Sequence, residues 1–148
     1  MDGSVIKKLD CNCLPEFKQL LEVFTNEFEM TPGQRADDLM LKKLLDNPGF
    51  ITFVSLRNNK VVGGLTAYEL PSYYGNYSEV YIYDIAVSKE YQRNGLGIML
   101  IDSLKRFCAA NNIKTIFVEA EEKDKHAVNF YHRTKAIAEK VVHFNYEL

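Results

Sequence analysis

A glycine-containing turn at the start of a predicted helix is the segment of this chain best suited to bind an anion. The motif is Gln92-Arg93-Asn94-Gly95-Leu96-Gly97, and it follows the apolar run Val80 to Val87. The first backbone N–H groups of a helix have no partner within the helix, and they carry the positive end of the helix dipole. Glycines let that backbone approach a phosphate closely. The segment therefore predicts a phosphate-binding turn, although two glycines that merely close a turn would look the same.

An acidic residue on the preceding strand is the second candidate for chemistry. Alternation along a strand places Asp84 on one face with Val80, Ile82 and Ala86, which are all apolar. Burial there would raise the pKa of its carboxyl group toward a value useful to a base. Asp84 is therefore a candidate base; a structural carboxylate that caps the following turn is the alternative.

Length and composition exclude several classes of protein. The chain has 148 residues, which suits one domain with a single core, and we predict one domain over residues 1–148. A formal charge of −2 argues against a nucleic-acid-binding protein. No apolar run has the length of a signal-peptide core or a membrane span, so we expect no membrane partner and a cytoplasmic location. The three cysteines and three histidines lack metal-ligand spacing, so no metal is predicted.

The spacing of apolar and turn residues predicts an α/β protein with a mixed sheet, in the order βααβββαβαβ. The predicted helices are Pro15 to Phe28, a shorter one around Leu39 to Leu45, Leu96 to Asn111, and His126 to Thr134. The predicted strands are Val5 to Leu9, Phe50 to Leu56, Val61 to Leu70, Val80 to Val87, Thr115 to Ala120, and Lys140 to Tyr146. The unit from Val80 to Ala120 must be a right-handed parallel crossover.

These residues in this order resemble the GNAT superfamily of acetyl-CoA-dependent N-acetyltransferases. The resemblance rests on the strand, the Gln92-x-x-Gly95-x-Gly97 turn, the helix and strand after it, and Asn129-Phe130-Tyr131 on a late helix. The chain is also similar to the narrower group of type I aminoglycoside 3-N-acetyltransferases. The segments that carry this likeness are Leu20 to Phe28, Ala67 to Pro71, Ser78 to Ser88 with its Tyr81-Ile82-Tyr83-Asp84, and the closing VVHFNYE.

The resemblance implies the GNAT acyl-CoA N-acyltransferase fold, with acetyl-CoA as the cosubstrate. The cofactor-binding residues that it implies are Ile85, Ala86, Val87, Gln92, Arg93, Asn94, Gly95, Leu96, Gly97 and Asn129. Backbone N–H groups of the turn and the Arg93 side chain would hold the pyrophosphate. The strand before the turn would pair with the pantetheine arm and polarise the thioester carbonyl. Tyr131 would protonate the departing thiolate. An amine acceptor is neutral only to about one part in a thousand at pH 7, so Asp84, the second catalytic residue, would take its proton or anchor the ammonium.

The acceptor implied by the narrower likeness is a small cationic amine, specifically the 3-amino group of an aminoglycoside. The substrate-binding candidates are Tyr83, Asp84, Glu119, Glu121, Glu122 and Asp124. Their carboxylates could form an acidic wall for a polycation, although a solvated charged loop is the ordinary explanation. A polyamine, an amino sugar or a protein amine is the alternative acceptor, and a CoA-binding module without turnover is the alternative class. A single strand after the last helix would leave a sheet edge open, so we expect a homodimer.

Overall fold

The computed structural model describes residues 3–148, so the first two residues of the predicted 1–148 domain lie outside the described part. The chain forms two compact units, Met1–Val118 and Glu119–Leu148. The elements of the first are β1 (Val5–Lys8), α1 (Leu14–Glu27), α2 (Asp38–Asp46), β2 (Phe50–Arg57), β3 (Lys60–Pro71), β4 (Ser78–Val87), a 3₁₀ turn (Lys89–Tyr91), α3 (Leu96–Ala110) and β5 (Ile113–Val118). The second contains α4 (Lys125–Arg133).

One five-stranded sheet organises the first unit, in the order β1-β2-β3-β4-β5. The first four strands are antiparallel to their neighbours, and β5 is parallel to β4. A parallel pair needs a crossover connection, and α3 provides it. The predicted mixed α/β sheet is therefore confirmed. No helix among residues 3–148 has the length and apolar character needed to cross a membrane.

Helices cover the two faces of this sheet. The amphipathic helix α1, with a proline in its first turn, buries Phe17 and Leu20 on one face. Residue Val54 of β2 belongs to the same core cluster as these side chains. Its neighbour Phe53 points to the opposite face, where its ring lies 6.2 Å from that of Phe107 on α3. The sheet thus has an α1 face and an α3 face.

A β-bulge in β4 changes which side chains share a face. Thr66 of β3 pairs with Asp84, but Ala67 pairs with Ile82, so Tyr83 is an extra residue on β4. The extra residue reverses the alternation, and Asp84 lies on the α1 face, whereas Ile82 lies on the α3 face with Val80. The prediction that Asp84 shares a face with Ile82 and Val80 is therefore wrong. The part of that prediction that concerns Ala86, which pairs with Gly64 on the α1 face, is confirmed.

The second unit contains the predicted late helix as α4, but not the strand predicted for Lys140 to Tyr146. Residues 136–148 form no helix or strand, and all of them are exposed. The alternating sequence supplies a strand-like pattern of side chains, but a strand also needs a backbone partner for its hydrogen bonds. The observed element order over the described residues is therefore βααβββαβα.

Candidate active site

The turn between β4 and α3 has the backbone geometry of an anion site. Gly95 is the residue before the first helical position, with a φ of +78°, and Arg93 has a φ of +63°. A left-handed residue between right-handed or extended ones turns successive N–H groups toward one point, which creates a concave anion-binding arrangement. Within residues 3–148 the amides of Arg93, Asn94 and Gly95 donate no backbone hydrogen bond. The donors that could hold a phosphate are therefore available.

Two side chains hold this turn against the end of β4. The amide nitrogen of Gln92 donates to the carbonyl oxygen of Val87 at 2.8 Å and to the Glu27 carboxylate at 3.3 Å. The second oxygen of Glu27, at the end of α1, accepts from the backbone N–H of Lys89 at 3.0 Å. Gln92, which the sequence predicts to bind the cofactor, thus positions the turn. The sequence analysis missed Glu27, because it lies 62 residues from its backbone donor and belongs to no local motif.

The predicted cofactor-binding segment of β4 has one open backbone edge. β4 pairs with β3 along its whole length, but its parallel pairing with β5 extends only from Ser78 to Ile82. Beyond Ile82, the edge of Ile85, Ala86 and Val87 that faces away from β3 has no strand beside it among the described residues. An extended ligand can add to such an edge by main-chain hydrogen bonds.

Two consecutive glycines on β3, Gly63 and Gly64, allow β3 to lie close to this part of β4 and to helix α1. A Cβ atom on Gly63 would lie 2.9 Å from the carbonyl oxygen of Ala86. A Cβ atom on Gly64 would lie 2.6 Å from a methyl group of Leu20 and 2.6 Å from the carbonyl oxygen of Phe53. The sequence analysis did not single them out, although a glycine pair inside a strand is a signal of close backbone approach.

The carboxylate of Asp84 is half-buried and has no hydrogen-bonding or ion-pair partner among residues 3–148. Burial desolvates it and raises the pKa of its carboxyl group above the ordinary value of 3.8. In the part of the chain that the structure describes, it accepts no hydrogen bond and forms no ion pair, so it caps no turn there. A desolvated carboxylate without a partner is suited to take a proton or to bind an ammonium group.

An aromatic row runs across the α1 face beside Asp84. The row consists of Phe50, Tyr68, Tyr83, Tyr81 and Phe117, on strands β2 to β5. Successive ring centroids are 5.3, 5.8, 6.1 and 5.0 Å apart. The pKa of the Tyr68 hydroxyl is raised by burial and by the nearby Tyr83 and Asp84, which places Asp84 close to the row.

An open cavity of about 630 Å³ lies over the aromatic row, and Tyr68, Tyr81 and Tyr83 line it together with Glu69. Tyr83, the bulge residue, is 61% exposed. Of the predicted substrate-binding residues, Tyr83 lines this cavity, and Asp84 lies close to Tyr68 in its lining. The sequence did not identify Tyr68 as part of the lining. Aromatic faces with an acidic neighbour suit a ligand that is both ring-shaped and cationic.

Comparison with protein-family models identifies this arrangement. Residues 16–135 match the model described as the acetyltransferase (GNAT) family. The chain belongs to the GNAT acetyltransferase family. Three similar solved structures agree with this assignment over the whole chain, and all three are of aminoglycoside acetyltransferases from uncultured soil metagenomic samples.

Two of these structures are of the enzyme meta-AAC0020. In its complex with trehalose, the enzyme chain shares 42% sequence identity with this acetyltransferase, with a TM-score of 0.95 over 98% of this chain and 96% of that one. Its complex with sisomicin is 41% identical, with the same TM-score and coverage. The third, HMB0005, is 32% identical, with a TM-score of 0.93 over 99% of both chains. A search of curated proteins found no match.

The second unit of the acetyltransferase carries Asn129 and Tyr131 on α4. Tyr131 is half-buried, and its ring centroid lies 5.2 Å from that of Phe130, whereas Asn129 is exposed. The Asp124 side chain begins this helix, because it accepts a hydrogen bond from the backbone N–H of Ala127 at 3.1 Å. The catalytic role of Tyr131 and the cofactor contact of Asn129 stay predictions.

The predicted acidic wall is an exposed loop whose carboxylates are mostly engaged. Glu121 forms an ion pair with Lys123 at 3.0 Å, and Glu119 lies 3.1 Å from the His143 ring nitrogen. Asp124 caps α4, and Glu122 is exposed. Exposed ion pairs are weak, so a polycation could displace them. No group of three or more His, Cys, Asp or Glu side chains within residues 3–148 is placed to hold a metal ion.

Proposed function

We propose that this acetyltransferase transfers an acetyl group from acetyl-CoA to the 3-amino group of an aminoglycoside by direct attack in a ternary complex. The observation that carries the proposal is the half-buried Asp84 carboxylate, which has no polar partner in the described part of the chain and lies close to Tyr68 at an aromatic cavity. Support for the aminoglycoside comes from relatives of 32 to 42% identity, one of which was solved with sisomicin.

The turn and the open edge of β4 fit acetyl-CoA. The available N–H groups between Arg93 and Gly97 would bind the pyrophosphate, and the exposed Arg93 side chain and Asn129 would add contacts. Leu96 is buried, so only its backbone N–H would contribute. The pantetheine arm would pair with Ile85, Ala86 and Val87 as an added strand. The thioester would then lie near the bulge, where backbone N–H groups can polarise its carbonyl.

Asp84 would act as the general base of the reaction, and Tyr131 as the general acid. Asp84 accepts a proton from the ammonium form of the acceptor, and the neutral nitrogen attacks the thioester carbon. A carbon–nitrogen bond forms, the carbon–sulfur bond breaks, and the Tyr131 hydroxyl gives its proton to the departing thiolate. The second proton that the nitrogen loses as the amide forms restores the Tyr131 hydroxyl. The desolvated position of Asp84 supports its part, because a carboxylate of raised pKa is the better base.

The aromatic row and nearby carboxylates would bind the rest of the acceptor. The faces of Tyr81 and Tyr83 can stack on sugar rings. The exposed acidic loop, with Glu119, Glu121, Glu122 and Asp124, would raise the local concentration of a polycation. We place the reaction in the cytoplasm, where acetyl-CoA is available, and we propose a homodimeric enzyme.

A thiol-release assay tests the function directly. The enzyme is incubated with acetyl-CoA and with sisomicin, spermidine, glucosamine or a peptide with a free N-terminus, and the acetylated nitrogen is located by NMR. We expect turnover of sisomicin with acetylation at its 3-amine. Turnover of another amine alone would reject the aminoglycoside assignment but retain the chemistry. Tight binding of acetyl-CoA without turnover of any amine would indicate a binding module.

A further inference from the structure

Three polar side chains form a row across the α1 face of the sheet, next to the aromatic row. In the register of the sheet, Thr52 of β2 lies opposite Thr66 of β3, and Thr66 lies opposite Asp84 of β4. Thr52 shares the α1 face with Val54, which is two residues further along β2 and belongs to the core cluster under α1. We call Thr52, Thr66 and Asp84 the polar row.

Burial makes the polar row unusual. Thr52 is 1% and Thr66 is 5% exposed, and the Asp84 carboxylate is half-buried. The Oγ1 atom of Thr52 has no hydrogen-bond partner within residues 3–148. A buried hydroxyl without a partner lowers stability, whereas a valine would fill nearly the same space without that loss. The two hydroxyls therefore need an explanation other than packing.

The rows on either side of the polar row offer its hydroxyls no alternative cross-strand partner. The next row on one side is aromatic and begins with Phe50 and Tyr68, and the next row on the other side contains Gly64 and Ala86. Leu20 of α1 packs directly over Gly64, where a Cβ atom would lie 2.6 Å from its methyl group. Each hydroxyl of the polar row thus has another member of the same row as its polar cross-strand neighbour.

The geometry of an antiparallel pair brings the Thr66 hydroxyl within reach of the carboxylate. Directly opposed residues have Cβ atoms about 4.5 to 5.5 Å apart. A threonine hydroxyl moves among three staggered positions by rotation about the Cα–Cβ bond, and it has one hydrogen to donate and two lone pairs. An ionised carboxylate only accepts, so a chain of donors through this row can run in one direction, from Thr52 to Thr66 to Asp84.

We propose that Thr66 is a positioning residue for Asp84: when the carboxylate ionises, the Thr66 hydroxyl rotates to donate a hydrogen bond to it, and the Thr52 hydroxyl donates to Thr66 in turn. This role rests on the proposed function of Asp84 as the general base. A hydrogen bond to the charged form opposes the effect of burial, so the carboxylate ionises at a lower pH than burial alone would allow. The same bond holds one carboxylate oxygen against β3 and leaves the other oxygen for the acceptor nitrogen.

Few groups that titrate face Asp84 from the elements packed around it. Tyr68 on β3 and Tyr83 on β4 adjoin it, and the pKa of Tyr68 is raised above 10 by burial and by these two neighbours. Glu27, at the end of α1, is bonded to the turn beyond Val87. The side chains that α1 and α2 bury in the core cluster of this face are the apolar Phe17, Leu20, Phe24 and Leu41. A change in the titration of Asp84 therefore reports on the polar row.

Titration of the Asp84 carboxyl carbon by NMR is the direct test, with Asp84→Asn used to identify its signal. Thr66→Val keeps the shape of the side chain and removes the hydroxyl, so it should raise the pKa of Asp84 by about one unit. Thr66→Ser restores a hydroxyl and should keep the parent value. Thr52→Val should raise the pKa by less than Thr66→Val does, because Thr66 can still donate.

The matched control is Ser55→Ala on the same sheet. The buried Ser55 hydroxyl also lacks a partner among the described residues, but it follows Val54 and so lies on the α3 face. Its removal should leave the titration of Asp84 unchanged. A pKa of Asp84 that Thr66→Val does not move, that Thr66→Ser moves equally, or that Thr52→Val moves more, would overturn the proposal.

The pH profile of kcat/KM for the amine connects the titration to turnover. Protonation of the amine is common to all variants, so a difference between their profiles isolates Asp84. Thr66→Val should move the acid limb to higher pH by the shift seen in the NMR titration, and Thr66→Ser should restore it. An equal loss of kcat/KM at every pH would indicate a merely structural role and would overturn the proposal. A titration that moves while the acid limb stays fixed would support the hydrogen bond but reject Asp84 as the base, which is a failure of the proposed function alone.

Discussion

Replacement of the Asp84 carboxylate by an amide is the sharpest test of the proposed chemistry. Asp84→Asn keeps the shape of the side chain and removes the proton acceptor. General-base catalysis contributes about 10² to 10⁴ in rate, so we expect kcat/KM to fall by that factor, or about 2.7 to 5.4 kcal/mol of transition-state stabilisation. The loss should be greatest at low pH, where almost all of the amine is protonated.

The same variant should be more stable than the parent protein at neutral pH. Folding desolvates the Asp84 carboxylate, which finds no hydrogen bond within residues 3–148, and this raises its pKa above 3.8. Because the pKa of Asp84 is higher in the folded state than in the unfolded state, its contribution to the free energy of unfolding is fully present below pH 3.8. This contribution is lost as the pH rises through the pKa of the folded state. The ionised carboxylate therefore destabilises the fold at pH 7.5, and asparagine does not. The stability difference should shrink as the pH approaches 4.

Two measurements separate the possible roles of Asp84. Thiol release with varied amine from pH 5.5 to 8.5 gives kcat and KM, and thermal unfolding at pH 4 and pH 7.5 gives the stability difference. A base affects kcat, whereas an anchor for the ammonium mainly raises the KM for the amine. Asp102→Asn on α3 is the charge-matched control and should change neither quantity. A kcat/KM within twofold of the parent value at pH 6, or a variant less stable at pH 7.5, would refute the reasoning.

Three further predictions concern the turn, the glycine pair and the acid. Glu27→Ala should raise the KM for acetyl-CoA about tenfold with little change in kcat, because one carboxylate holds both Lys89 and Gln92. The control is Glu22→Ala, at an exposed position on the same helix. An equal effect of the two substitutions would contradict this role of Glu27. Gly64→Ala should lower the melting temperature by about 3 to 10 °C, since overpacking costs about 1 to 3 kcal/mol. Gly49→Ala, whose Cβ would lie 3.3 Å from its nearest neighbour, should change it by less than about 2 °C; similar shifts would show that β3 yields to the added methyl group. Tyr131→Phe should lower kcat about 100-fold while acetyl-CoA affinity, measured by calorimetry, stays within twofold, and an unchanged kcat would exclude Tyr131 as the acid.

Local patterns predicted the elements well, because their causes are local. The apolar spacing of α1 and the turn before α3 depend on neighbouring residues alone, and both were placed within a few positions of their observed bounds. The strand predicted for Lys140 to Tyr146 is absent for the opposite reason, since pairing requires a backbone partner that alternation in VVHFNYE cannot specify. Glu27 was missed on similar grounds, because its function depends on α1 ending beside a turn 62 residues away.

The face assigned to Asp84 failed because alternation assumes an uninterrupted strand. The extra residue Tyr83 becomes visible only in the register between β3 and β4, where Thr66 faces Asp84 and Ala67 faces Ile82. Successive side chains of a strand point to alternate faces of the sheet, so one inserted residue reverses the face of every side chain beyond it. Burial of the carboxylate was therefore predicted correctly, and so was its neighbour Ala86, while Ile82 and Val80 were assigned to the wrong face.

This bulge links the two halves of the proposed site. Parallel pairing between β4 and β5 stops at Ile82, immediately before Tyr83, so the bulge lies where the backbone edge proposed to bind the pantetheine arm becomes open. The same extra residue turns Asp84 onto the α1 face, beside Tyr68 and the aromatic cavity. In a regular strand Asp84 would instead share the α3 face with Ile82 and the fully buried Leu65, where an amine could not reach it. One inserted residue thus brings the open backbone edge and the proton acceptor to the same point of the sheet.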